Sequence, residues 1–206
     1  MLDAIRFMET VRRLGGPWNS TDAFEALVAA YSQPQRAYHN AAHIEDCLTL
    51  FDSARQLAKQ PDEVEAAIWF HDVVYDSKSS DNEERSAFWA VETLKAGAVD
   101  PDVLRRIAAL IMATKHDRDP ASPDEALLID VDLSILGRAP EEFAAYDAAI
   151  RREYSFVPDD QYRAGRAKVL EGFLHRDAVY LTELFRERFE APARRNLEQA
   201  INRLRR

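Results

Sequence analysis

Apolar residues recur at three- and four-residue spacing along nearly all of this chain, and no stretch alternates apolar with polar residues as a half-buried strand does. Only six of the 206 residues are glycine, while Ala, Leu, Glu and Arg are abundant, so backbone and side-chain preferences both favour helix. The chain therefore reads as all-α. Asp81 with Glu84 three residues later has the form of a capping box, and Pro101, Pro123 and Pro158 follow Asp100, Ser122 and Val157 near first helical positions. Gly15-Gly16, Gly97 and Gly137 stand where helices should stop. Nine or ten helices follow, near 2–14, 21–33, 40–59, 62–75, 82–96, 101–115, 123–136, 140–154, 158–189 with a break near 176, and 192–205.

The chain is 47% hydrophobic and has no repeat, low-complexity run or linker, so one core and a single domain spanning 1–206 are expected. No window approaches the roughly 18 uninterrupted apolar residues that a membrane span needs. The N-terminal MLDAIRFMETVRRLGG intersperses charges where a signal peptide is continuously apolar, which points to a soluble, cytoplasmic protein without a membrane partner. Cys47 is the single cysteine, so no internal disulfide or thiolate pair can form, and a metal would have to be held by His, Asp or Glu. A net charge of −9, from 36 acids against 27 bases, argues against long nucleic acid as a partner. The Arg-rich segment from Arg186 onward reads as a solvated helical face, equally suited to packing in a monomer or a homodimer.

Four of the five histidines fall in three short contexts, YHNAAH (38–43), FHD (70–72) and TKH (114–116); His175 stands apart and reads as structural. On a helix beginning near Asn40, its expected N-cap, His43 shares a face with Cys47, Leu50, Ala54 and Leu57. On the next helix His71 continues the stripe Val64, Ile68, His71, Tyr75, so both imidazoles aim inward. Asp72, beside His71 in the apolar run AAIWFHDVVY, is costly to bury unless something positive compensates it. A divalent cation would do so. The segment LLIDVDLSILG offers a second acid: Asp132 shares a stripe with Leu128, Ile135 and Leu136, whereas Asp130 lies toward Ser134 and Gly137, so geometry prefers Asp132 with Asp130 as the alternative. Two neutral imidazoles and two carboxylates around one divalent ion sum to zero charge and leave room for water, a donor set suited to Mn, Fe, Co, Ni, Zn or Mg.

His43, the His71-Asp72 doublet and a distal Asp resemble the H…HD…D signature of the HD-domain metal-dependent phosphohydrolases, an all-helical superfamily. YHNAAH is similar to the YHNxxH segment of the cyclic-nucleotide phosphodiesterases, and VDLS (131–134) to their ADLS segment. Together with DNEERSA (81–87), ATKHD (113–117) and ARRNLEQAI (193–201), the whole chain resembles small bacterial HD proteins described as predicted phosphohydrolases. The resemblance implies a single HD-type domain with His43, His71, Asp72 and Asp132 as metal ligands and His39 as proton donor. It departs from the cyclic-nucleotide enzymes in lacking their further His after the doublet. It departs from the HDxxED of guanosine tetraphosphate hydrolases in carrying Tyr75 in place of Glu, with Asp76 matching.

The expected activity is hydrolysis of a small phosphoester, a nucleotide or phosphorylated metabolite, by a metal-activated water. His39, one turn before His43, could protonate the leaving oxygen near neutral pH, and Asp72 is both ligand and catalytic candidate. Lys115 and His116, ending a helix, could bind phosphate or, for His116, a second metal ion; a cationic cap on the helix dipole explains them equally well. Asp76, Glu83 and Lys78 are candidates for substrate contact, and Tyr75 and Trp69 for stacking or for the core. Two rivals remain at this stage. HD-type sites also occur in oxygenases, including di-iron ones, and in hydratases, and a signalling module could bind metal or nucleotide without turnover.

Overall fold

The computed structural model describes residues 2–17 and 20–206. The regular structure of the described residues is all helical, with no strand among them, as the apolar spacing predicts. They form two compact units that divide after Val131. The first contains α1 (Ala4–Arg13), α2 (Thr21–Tyr31), α3 (Ala41–Ala54), α4 (Pro61–Phe70), α5 (Asn82–Ala96), α6 (Pro101–Ala113) and α7 (Pro123–Asp132). The division falls one residue before the end of α7, so that Asp132, its last residue, is the first of the second unit.

Helix α4 is the centre of that unit. Eight of its ten residues are buried, and it packs against α1, α3, α5 and α6. Its aromatic end, Trp69 and Phe70, meets Phe7 of α1 at ring-centroid separations of 5.4 and 5.9 Å. Because all sides of the helix face protein, its two buried glutamates need partners. Glu65 receives Arg6 (2.6 Å), Arg13 (3.0 Å) and Arg55, while Glu63 receives Arg106 (2.6 Å). Ends are marked as the sequence indicates where local chemistry suffices: Asp3 caps α1 and Asp100 caps α6 through their side chains.

Several boundaries differ from the periodicity. The helix expected over 40–59 is α3 followed by a 3-10 turn, Arg55–Leu57, and Leu57 is 40% exposed, so it leaves the His43 face. The helix expected over 62–75 ends at Phe70. No Gly or Pro signals that stop. It comes from tertiary bonds, since Arg36 takes the carbonyls of Asp72 (2.5 Å) and Val73 (2.8 Å), and Ser86 Oγ accepts the Val74 amide (3.1 Å). Asp81 precedes α5 without forming a side-chain cap; its carboxylate accepts from Ser79 Oγ instead, so the expected capping box is absent. Beyond Asp132 the chain tightens into a 3-10 turn, Leu133–Gly137, rather than continuing the helix to 136.

The second unit contains that turn, α8 (Pro140–Glu153), α9 (Asp159–Leu174), α10 (Glu183–Phe185), a π turn Arg186–Glu190 and α11 (Ala191–Leu204). The single broken helix expected over 158–189 is thus α9, an irregular stretch, and a new helix from Glu183. Arg194 accounts for the irregular stretch by donating to the carbonyls of Leu174, Arg176 and Asp177 at 2.9–3.0 Å, and Glu190 accepts the amides of Val179 and Tyr180. Pro192 has no amide for the carbonyl four residues back and crowds it, which accounts for the widened π turn immediately before it.

Candidate metal centre

Asn40 sets the start of α3. Its Oδ1 accepts the Ala42 amide (2.9 Å) while its Nδ2 donates to the carbonyls of Arg36 and Ala37, so His43 enters the first turn with its ring buried. Cys47 lies one turn further on, its Sγ 3.7 Å from His43 Nδ1. His71 is the residue that closes α4; its amide still bonds Ala67 O (2.9 Å), and its ring is buried.

The two imidazoles meet through their Nε2 atoms, 3.2 Å apart. Asp72 Oδ2 lies 3.2 Å from Nε2 of His71 and 3.5 Å from Nε2 of His43. Asp132 completes a group with both histidines in which one ligand atom from each lies within 4.8 Å of the others. Of the two acids on α7 it is thus Asp132, as helical geometry prefers, that joins the histidines, whereas Asp130 is 0% exposed in the core.

The tautomer of His71 follows from its surroundings. Nδ1 sits 3.0 Å from Ile68 O, which can only accept, so Nδ1 carries a proton and Nε2 is the His71 nitrogen that faces the cluster. Burial pushes the Asp72 carboxyl up, but the imidazoles of His71, His39 and His43 outweigh it and hold that carboxyl well below the usual range. Two imidazole nitrogens and a carboxylate oxygen thus converge on one point, an arrangement that a cation satisfies. The 3.2–3.5 Å separations among His43, His71 and Asp72 are close to this requirement, since ligands about 2.1 Å from a shared ion stand roughly 3.0–3.4 Å apart in octahedral or tetrahedral geometry.

His39 lies in the loop before α3, half-buried. It stacks on Tyr75 (4.1 Å, 24°) with its ring 6.1 Å from that of His43, and the Tyr38 ring lies 4.8 Å from that of His43. Tyr75 is thus neither in α4 nor on the expected His71 stripe; it is the platform under His39.

The expected substrate contacts are arranged differently from one another. Glu83, half-buried on α5, has its carboxyl pushed up by burial and by the nearby charge of Asp72. Asp76 is exposed and folds its own loop, Oδ1 accepting from the Lys78 amide (2.9 Å) while its backbone is bracketed by Asn82. The Lys115 ammonium is engaged by Glu84. His116 takes a left-handed backbone (φ 58°), closing α6 at a position where glycine is usual. Arg36 carries no sequence signal beyond being a lone cation in a Pro- and Gln-containing loop, yet it is buried behind the cluster and bonded to it. No helix of the described residues is long and apolar enough to cross a membrane. Comparison of the chain with protein-family models, curated proteins and solved structures finds no match.

Proposed function

We propose that the chain is a metal-dependent hydrolase of a small phosphoester, such as a nucleotide or phosphorylated metabolite. The observation that carries this reading is the convergence of two buried Nε2 atoms and the Asp72 carboxylate, with the His71 proton committed to Ile68 O. His43, His71, Asp72 and Asp132 would hold one divalent cation, whose bound state supplies a water of near-neutral pKa and neutralises charge on a phosphoryl oxygen. The chain's own groups supply the rest. His39, held edgewise to the cluster on the Tyr75 ring, donates a proton from its imidazole to the departing oxygen. Asp72 keeps a charged carboxylate beside the reacting water. Lys115, held by Glu84 in this structure, is the cation that a phosphate would take in exchange for that carboxylate.

The test is elemental analysis of protein purified without chelators, followed by a screen of nucleotides and sugar phosphates for phosphate release. About one Mn, Co, Ni, Zn, Fe or Mg per chain with release that disappears in Asp72→Ala supports the reading. Two irons per chain with no phosphate release would replace it by the oxygenase reading, and a chain that takes up no metal at all would remove it.

A further inference from the structure

Arg36 lies in the loop between α2 and α3 and is only 5% exposed. A guanidinium does not shed its proton, so burial requires that its donors be spent on acceptors fixed in space. Nε donates to Gln33 Oε1 (3.1 Å), Nη1 to the carbonyls of His39 (3.2 Å) and Asp72 (2.5 Å), and Nη2 to the carbonyl of Val73 (2.8 Å). One side chain thereby ties together two segments 36 positions apart. One segment carries the imidazole assigned to proton transfer, and the other carries a ligand carboxylate. The Tyr75 ring lies 5.8 Å from the Arg36 Cζ and is also the ring on which His39 stacks, so the same cation steadies the platform.

We propose that Arg36 is a positioning residue of the metal centre, its planar fork setting the Asp72 carboxylate and the His39 imidazole at their working distance. The inference rests on the metal-site reading above. Shape rather than charge is what matters here. A positive charge behind the cluster opposes a bound cation, so electrostatics alone would make Arg36 unfavourable for metal binding. Its contribution must come from holding three carbonyls at once, which an ammonium, with no planar fork, cannot reproduce.

The experiment is a Co2+ titration of the full-length chain followed by visible absorption, with Arg36→Met, Arg36→Lys and Gln33→Ala, and far-UV circular dichroism on each. The expected result is Co2+ affinity reduced about 10- to 100-fold in both Arg36 variants, with a changed ligand-field spectrum, because the partners that orient metal ligands typically matter by that factor. Arg36→Lys should resemble Arg36→Met rather than the wild type. Wild-type affinity and spectrum in Arg36→Lys would overturn the proposal, and so would a simple loss of melting temperature with the Co2+ spectrum unchanged. If Arg36→Met fails to fold, Gln33→Ala, an exposed change that frees the Arg36 Nε–H and the amide of exposed Gln35, decides: a several-fold loss of affinity supports the proposal, and no loss in it or in Arg36→Lys overturns it. A wild-type chain that binds no Co2+ would instead remove the metal-site reading itself, and this inference with it.

Discussion

At the scale of single residues the cluster depends on which nitrogen holds a proton. His71 keeps its Nδ1 proton on Ile68 O, and replacing the ring by alanine deletes the Nε2 nitrogen that faces the cluster while the backbone bond from the His71 amide to Ala67 O, which closes the helix, stays. His71→Ala and Asp72→Ala should each lose bound metal on dialysis while keeping the helical circular dichroism of the wild type; full occupancy in both would sink the ligand assignment. A second residue-scale prediction concerns backbone rather than side chain. Ala98 and His116 both sit at φ near 60°, where a Cβ is crowded by its own carbonyl. Ala98→Gly should raise unfolding free energy by about 0.5–1 kcal/mol in urea titration. His116→Gly should do the same in the same titration. The inward aim of His43 and His71 and the preference for Asp132 over Asp130 are legible in residue spacing alone, because a helical face is a one-dimensional property. Arg36 is not legible, because its acceptors are carbonyls of residues that only the folded chain brings near.

Helices and turns show the same contrast between local and distant causes. Starts such as Asp3 and Asp100 are written in a few adjacent residues, whereas the stop at Phe70 depends on Arg36 and Ser86 from other parts of the chain. Periodicity therefore overruns into 71–75. The grip of α4 on its neighbours is testable through Glu65, whose carboxyl is subject to burial pushing it up and to Arg55 and Arg6 pulling it down, with a net lowering. A group with a depressed folded pKa stabilises above its unfolded pKa and stops doing so as pH falls through the folded one. Glu65→Gln should accordingly destabilise by about 2 kcal/mol or more at pH 7, less than a wholly buried pair because its arginine partners are a quarter to a third exposed. The gap between variant and wild type should close as pH is lowered from about 5 toward 3; a gap independent of pH would refute the ion-pair account. In the second unit, a Cβ at Gly137 would meet Phe189 Cβ at 2.6 Å and Phe189 O at 2.7 Å, whereas one at Gly172 meets nothing within 4 Å. Gly137→Ala should be destabilising by about 1–3 kcal/mol and Gly172→Ala stabilising by about 0.5–1 kcal/mol, both read by urea unfolding.

For the molecule as a whole, binding to the folded chain alone shifts the unfolding equilibrium by mass action. A divalent ion at about 100 times its dissociation constant adds about 2.7 kcal/mol, which for a chain of this size corresponds to roughly 5–10 °C in melting temperature. Calorimetry with and without metal should reveal that shift in the wild type and not in His71→Ala. The all-helical class was open to sequence reading because every part of the chain repeats one period. The division after Val131 falls inside a helix, where neither composition nor a linker could announce it.

Helix α4 has protein on every side and ends directly in His71 and Asp72. Its amides should be the last of the first unit to exchange with deuterated solvent, and the His71-Asp72 doublet proposed to hold the metal hangs from that slowest-yielding rod rather than from a hinged loop. Warming or mild denaturant should then leave the centre intact until the unit melts, so that metal release and loss of helix fall on a single transition instead of the site fading ahead of its scaffold.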